Sequence, residues 1–134
     1  MSSSLVLDTH ALIWYIQDDK QLSSHIRNLL LDTSQAGYSL LVPSICLVEI
    51  TYLIEKSRFD QKLIDIIERD LIDPLNSLKL ATLNLPITRA LKHIHRDQVP
   101  DMPDRIIAAT ALALDLPLVT RDSKIRASNI TTVW

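Results

Sequence analysis

The sequence predicts an α/β fold, a three-layer α/β/α sandwich around a central, largely parallel sheet. Short apolar runs alternate with longer segments of helical spacing along the whole chain, the pattern of strands joined by crossover helices. The runs "LVL", "LLV" and "PLV" are continuously apolar, as expected of strands covered on both faces. The 134 residues suit one domain over 1–134, long enough to bury a core and free of repeats, low-complexity tracts and linkers.

The elements follow in order. A strand at 4–8, "SLVLD", runs into a helix at 9–17. Ser23 is placed to cap a helix over 23–33, and a second strand spans 38–43, "YSLLVP". Ser44, following a proline, opens a helix at 44–57 that is apolar on most sides and therefore expected to be buried. A helix at 60–72 precedes a strand expected at 83–87, "LNLPI". Thr88 opens a helix over 88–96, and Pro103 suits the first turn of a helix over 103–115. Strands at 116–122, "LPLVTRD", and 131–134, "TTVW", come last.

Composition excludes several function classes. The single glycine, Gly37, rules out a P-loop and a dinucleotide-binding loop, both of which need several glycines. The single cysteine, Cys46, rules out an internal disulfide and a cysteine zinc cluster, and within "SICLVEI" it reads as a small buried hydrophobe. No stretch reaches membrane-spanning length, and the opening residues lack the pattern of a signal peptide, so a cytoplasmic, reducing setting with no membrane contact is expected. The net charge of −2 carries no global signature of a nucleic-acid binder. Half of the 14 basic residues do fall between positions 86 and 126, where they form either a local patch or an ordinary mixed-charge surface.

Ligands of parallel α/β sheets bind beyond the carboxyl ends of the strands. Asp8 closes the first strand and Asp122 closes "LPLVTRD", so both belong to that rim. Glu49 lies little more than one turn into an apolar helix that starts there, and Asp104 opens a helix that leaves the same edge. Singly, each has an ordinary explanation: a helix cap for Asp8, dipole compensation for Asp104, a turn for Asp122, a salt bridge to a buried arginine for Glu49. Together, four carboxylates from four segments repel one another unless a cation joins them. Hard oxygen donors of this kind suit Mg²⁺ or Mn²⁺, and such a site supports phosphodiester hydrolysis by an activated water.

The blocks "LVLDTHALIWY", "VPSICLVEI" and "DRIIAATALALDLPLVTRD" resemble the PIN-domain nucleases, and within them the VapC-type toxins of toxin–antitoxin pairs. The resemblance covers nearly the whole chain, and the last block is its most specific part. It implies an endoribonuclease dependent on Mg²⁺ or Mn²⁺, homodimeric, acting on an RNA substrate and blocked by a cognate antitoxin. Position by position, the catalytic and metal-binding acids fall on Asp8, Glu49, Asp104 and Asp122. Thr9 and Thr120 match hydroxyl positions that would bond a carboxylate or a metal-bound water, although Thr9 reads equally well as an ordinary strand-end threonine. Asp101, three residues before Asp104, is either an auxiliary ligand or a helix cap, and the cap is favoured.

Arg96 and Arg121 are candidate RNA contacts, His93 and His95 read as surface residues, and the polar segments 18–22 and 57–61 are candidates for the entry to the site. Two other readings stay open. A receiver-like phosphoacceptor also gathers acids at a sheet's carboxyl rim, but it needs an aspartate after a middle strand where this sequence has "LLVPS". A catalytically silent PIN-like RNA-binding module would have no reason to retain four mutually repelling acids.

Overall fold

Strand β1 (Leu5–Leu7) is buried along its length and lies at the centre of the sheet. The structure, a computed structural model, describes residues 3–134; Met1 and Ser2, the first two positions of the predicted domain, lie outside the described residues. Beside β1 lie β2 (Leu40–Pro43) and β4 (Leu118–Val119), with β3 (Leu78–Ala81) and β5 (Thr132–Val133) at the edges. The order is β3-β2-β1-β4-β5, and every pairing is parallel. Val6 is in register with Leu41 on one side and Leu118 on the other.

Seven α-helices among the described residues flank this sheet to form the three-layer sandwich. They are α1 (Thr9–Gln17), α2 (Ser24–Gln35), α3 (Ser44–Glu55), α4 (Gln61–Ile72), α5 (Leu85–Ala90), α6 (Met102–Leu114) and α7 (Ser123–Arg126). Apolar strand residues such as Val6, Leu7, Val42 and Val119 are buried together with Leu12, Ile13, Ile26, Ile50 and Ile107 of the helices. None of the described helices is long and apolar enough to cross a membrane.

The topology locates the site. The chain leaves β1 toward β2 and β3, then returns to β4 on the opposite side. Neighbouring strands whose connections diverge in this way leave a crevice beyond their carboxyl ends. Asp8 follows β1 at that crevice, and Thr120, Arg121 and Asp122 follow β4.

Several elements differ from the sequence prediction. The third strand is Leu78–Ala81 and not 83–87. In "LNLPI" the side chain of Asn84 accepts a hydrogen bond from the Ile87 amide at 3.1 Å, and Pro86 occupies the first turn of α5. A helix cap followed by a proline starts a helix there, three residues ahead of the predicted one. Thr88 therefore lies inside α5, its hydroxyl donating to the Leu85 carbonyl. The helix then tightens into a 3₁₀ turn at Leu91–His93 and does not continue to residue 96.

The strand predicted at 116–122 shortens to Leu118–Val119, because Asp122 caps a helix, α7, that the sequence reading did not contain. Ser23 caps α2 as predicted, accepting from the Ile26 amide. Ser44 does not cap α3: its hydroxyl accepts from the Leu83 amide and ties down the loop before α5. Helix α3 is also only partly buried. Cys46 and Ile50 face the core, whereas Val48 and Tyr52 are 49% and 60% exposed.

Candidate active site

Asp8 is placed by the junction it occupies. Its amide donates to the Val119 carbonyl, which ties the end of β1 to β4, and its side chain caps α1 by accepting from the Ala11 amide at 2.8 Å. The cap and the site position are therefore one residue, 8% exposed. Burial holds its carboxyl above the usual carboxylate range, partly offset by hydrogen bonds from the Thr120 side chain and the Ala11 amide. Thr120 is fully buried, and its hydroxyl oxygen also accepts from the Asp122 amide at 3.0 Å. One hydroxyl thus lies between the Asp8 carboxyl and the backbone of Asp122.

Glu49 projects from α3 in a half-buried position. No arginine among the described residues pairs with it; the Thr9 hydroxyl donates to Glu49 Oε1 at 2.5 Å. That bond decides between the two readings of Thr9: its hydroxyl serves a carboxylate and not merely the backbone. Burial raises the Glu49 carboxyl, the Thr9 bond lowers it, and the charges of Asp101 and Asp8 raise it again.

Asp104 lies in the first turn of α6, where Asp101 is the N-cap and accepts the Asp104 amide at 3.1 Å. Asp101 is therefore the cap that the sequence reading favoured. Burial, followed by the charges of Asp101, Asp122 and Glu49, pushes the Asp104 carboxyl up to about 7. Asp122 caps α7, accepting from the Lys124 and Ile125 amides at 2.9 and 3.0 Å.

These groups meet in one cavity of about 450 Å³. Asp8, Glu49, Asp104 and Asp122 line it together with Asp101 and Thr9. One further wall consists of His10, Trp14 and Arg121. The Arg121 guanidinium sits 4.5 Å from the centroid of the Trp14 ring. Ion pairs among the described residues, Arg27 with Asp18 and Arg69 with Asp70, lie away from the cavity.

Other predicted features fall elsewhere. Arg96 is exposed and outside the cavity wall, and His93 lines a separate groove with Arg89 and Lys92. Neither segment 18–22 nor segment 57–61 borders the acidic cavity. Arg105, one of the seven clustered basic residues, turns inward and donates to the Leu91 and Ile94 carbonyls. Cys46 is buried and its thiol is pushed well up by burial, which agrees with a packing role.

The sequence reading missed His10 and Trp14. They are four residues apart on α1, which places both on one helix face beside Asp8. That spacing was the available signal.

The four acids suit a hard divalent cation: carboxylate oxygens, mutually repelling, with no ammonium or guanidinium among the described residues paired to them. Among the described residues no three His, Cys, Asp or Glu side chains converge closely enough to chelate one ion as they stand. This is compatible with Mg²⁺, which keeps several waters and takes few protein ligands directly.

Comparison with known protein families gives a match to the PIN domain over residues 5–129. The chain belongs to the PIN-domain family. Three solved structures share the PIN fold of this chain. VapBC2 from Rickettsia felis, bound to a DNA fragment from its promoter, superposes with a TM-score of 0.72 at 20% identity, covering 97% of each chain. DNA-bound VapBC from Salmonella typhimurium gives a TM-score of 0.72 at 20% identity, covering 99% of this chain and 98% of the other. FitAcB from Neisseria gonorrhoeae gives 0.62 at 17% identity, covering 97% and 96%. A search of curated protein sequences gives no match.

Proposed function

We propose that this PIN domain is a divalent-metal-dependent endoribonuclease that hydrolyses RNA phosphodiester bonds and serves as the toxin of a toxin–antitoxin pair. One observation carries the reading: four carboxylates from four chain segments line one cavity at the β1–β4 crevice, with no basic side chain among the described residues paired to them. Helix capping accounts for Asp8 and Asp122, but not for the half-buried Glu49 or an Asp104 raised to about 7.

Asp8, Glu49, Asp104 and Asp122 are the residues that would hold Mg²⁺ or Mn²⁺. A bound ion supplies a water of lowered pKa and charge stabilisation at the phosphorus. The protein's own groups prepare for this. Thr120 fixes Asp8 relative to Asp122, Thr9 fixes Glu49, and the Asp101 cap sets the first turn that carries Asp104. No serine, cysteine or histidine nucleophile is needed.

The antitoxin partner follows from the resemblance and from the VapBC complexes that share the fold. The homodimer follows from the same resemblance. Large apolar side chains left in solvent, Val48 and Tyr52 on α3 with Leu83 and Leu85 beside its start, support a protein-covered surface.

The test is cleavage of a labelled structured-RNA pool by purified protein in Mg²⁺, Mn²⁺ or EDTA, with Asp104→Asn alongside. Metal-dependent cuts that fall by about 100-fold or more in the variant support the nuclease. Cuts that persist in the variant point to a contaminant or to Asp101 as the ligand. No cleavage across several RNA classes, with carried-over antitoxin excluded, favours a silent RNA-binding module.

A further inference from the structure

The acid-lined cavity presents a problem for its own substrate. A polyanionic backbone approaching Asp8, Glu49, Asp104 and Asp122 is repelled until a cation is present, and a phosphate beyond the scissile one gains nothing from that cation. One wall differs. Arg121 is the permanently cationic member of the cavity lining among the described residues, and its guanidinium carbon lies 4.5 Å from the centre of the Trp14 ring.

The ring itself is a fixed platform. Trp14 is 6% exposed and packs at tilted angles against Trp134 and His10, with ring centres 5.9 and 5.5 Å apart. Arg121 has several carboxylates within its cavity, and Asp122 next to it in the chain, yet it forms no ion pair with any described residue. A guanidinium resting on an aromatic face engages through its own π-face and leaves its in-plane N–H fork for another partner. That fork matches phosphate oxygens in a two-point contact.

We propose that Arg121, held on Trp14, binds a backbone phosphate next to the scissile one and so sets which phosphodiester lies against the carboxylates. The proposal rests on the nuclease reading above and adds to it the direction in which the strand enters. The RNA crosses the Trp14 wall, with Arg121 as its positioning contact and the four acids beyond it. Arg121 is exposed and lies outside the core, so its replacement leaves the fold intact.

The experiment compares wild type, Arg121→Ala and Arg121→Lys on a labelled single-stranded RNA of mixed sequence. Binding is measured across a salt series with Ca²⁺ supplying the hard divalent cation, and cleavage is measured in Mn²⁺. The alanine variant is expected to raise KM about tenfold with kcat within about twofold. It should also reduce the slope of log affinity against log salt by about 0.7, the loss of one phosphate contact on a single strand. Lysine should recover the salt slope but leave KM raised about threefold, because it lacks the planar fork.

Wild-type binding and cleavage with both parameters unchanged in Arg121→Ala overturn the proposal while leaving the nuclease intact. Full rescue of KM by lysine overturns the stacked-fork geometry. Wild type that binds through Arg121 yet never cleaves overturns the nuclease and keeps the contact. Neither binding nor cleavage by wild type overturns both.

Discussion

Thr9 and Thr120 hold a cluster of acids in place without supplying any balancing charge. A hydroxyl that donates to a carboxylate favours its ionised form and fixes its rotamer, at far less cost than a buried ion pair. Replacing Thr9 by Val removes the donor to Glu49 Oε1 while keeping the volume. The expected result is a loss of cleavage on the order of 10-fold together with a higher Mn²⁺ concentration for half activation. Serine at the same position should restore both, and failure of that rescue would show that the methyl packing mattered and not the bond. At this scale much was legible in the sequence. Asp8, Asp104 and Asp122 sit at element boundaries, and Glu49 interrupts an apolar run, so each stood out by type and position. The Trp14–Arg121 wall did not, because it joins residues distant in sequence by stacking, which has no periodicity to read.

Elements were legible where their ends carry unambiguous chemistry. Ser23 and Pro103 mark the starts of α2 and α6 to within one residue. In "LNLPI" the apolar residues suggest a strand, but Asn84 and Pro86 together specify a helix start and prevail. The true strand, "LKLA", is an edge strand and only partly covered: Leu78 is buried while Leu80, on the same face, is 43% exposed. Helix C-termini show what the scarcity of glycine costs. Helices α1 and α6 both end on an aspartate in the left-handed region, Asp18 at φ 55° and Asp115 at φ 54°, where glycine is ordinarily favoured. Asp18 has an ion pair with Arg27, whereas Asp115 forms no salt bridge with any described residue. Asp115→Gly is therefore expected to raise stability by about 0.5–1 kcal/mol, read as a shift in the urea midpoint at constant m-value. Because Asp115 lies outside the acidic cavity, cleavage by that variant should be unchanged; a lower midpoint would mean that its carboxylate makes a stabilising contact at the helix end.

On the scale of the whole molecule, the parallel sheet concentrates charge at one end, and stability should register that concentration. Asp8, Glu49 and Asp104 are all raised, with Asp104 carried from 3.8 to about 7 by burial and by its acidic neighbours. A carboxyl whose folded-state pKa exceeds its unfolded value makes the native state bind protons more tightly than the unfolded chain. Its contribution is fully present below the unfolded value near 3.8 and is lost as pH rises through the folded value near 7. The metal-free protein is therefore expected to lose stability as pH rises through that window. Asp104 is only half-buried, so solvent screening reduces the effect to on the order of 1 kcal/mol, a fall in Tm of about 3 °C. Thermal melts in EDTA at several pH values measure it, with Asp104→Asn as the control that should flatten most of the slope. Mn²⁺ should flatten it as well, and raise Tm at neutral pH, because an ion that binds the folded carboxylates and not the unfolded chain competes with their protons and stabilises by mass action. Equal slopes in wild type and Asp104→Asn would show that the acids do not repel one another in the folded protein, and the case for a cation between them would lose its electrostatic basis.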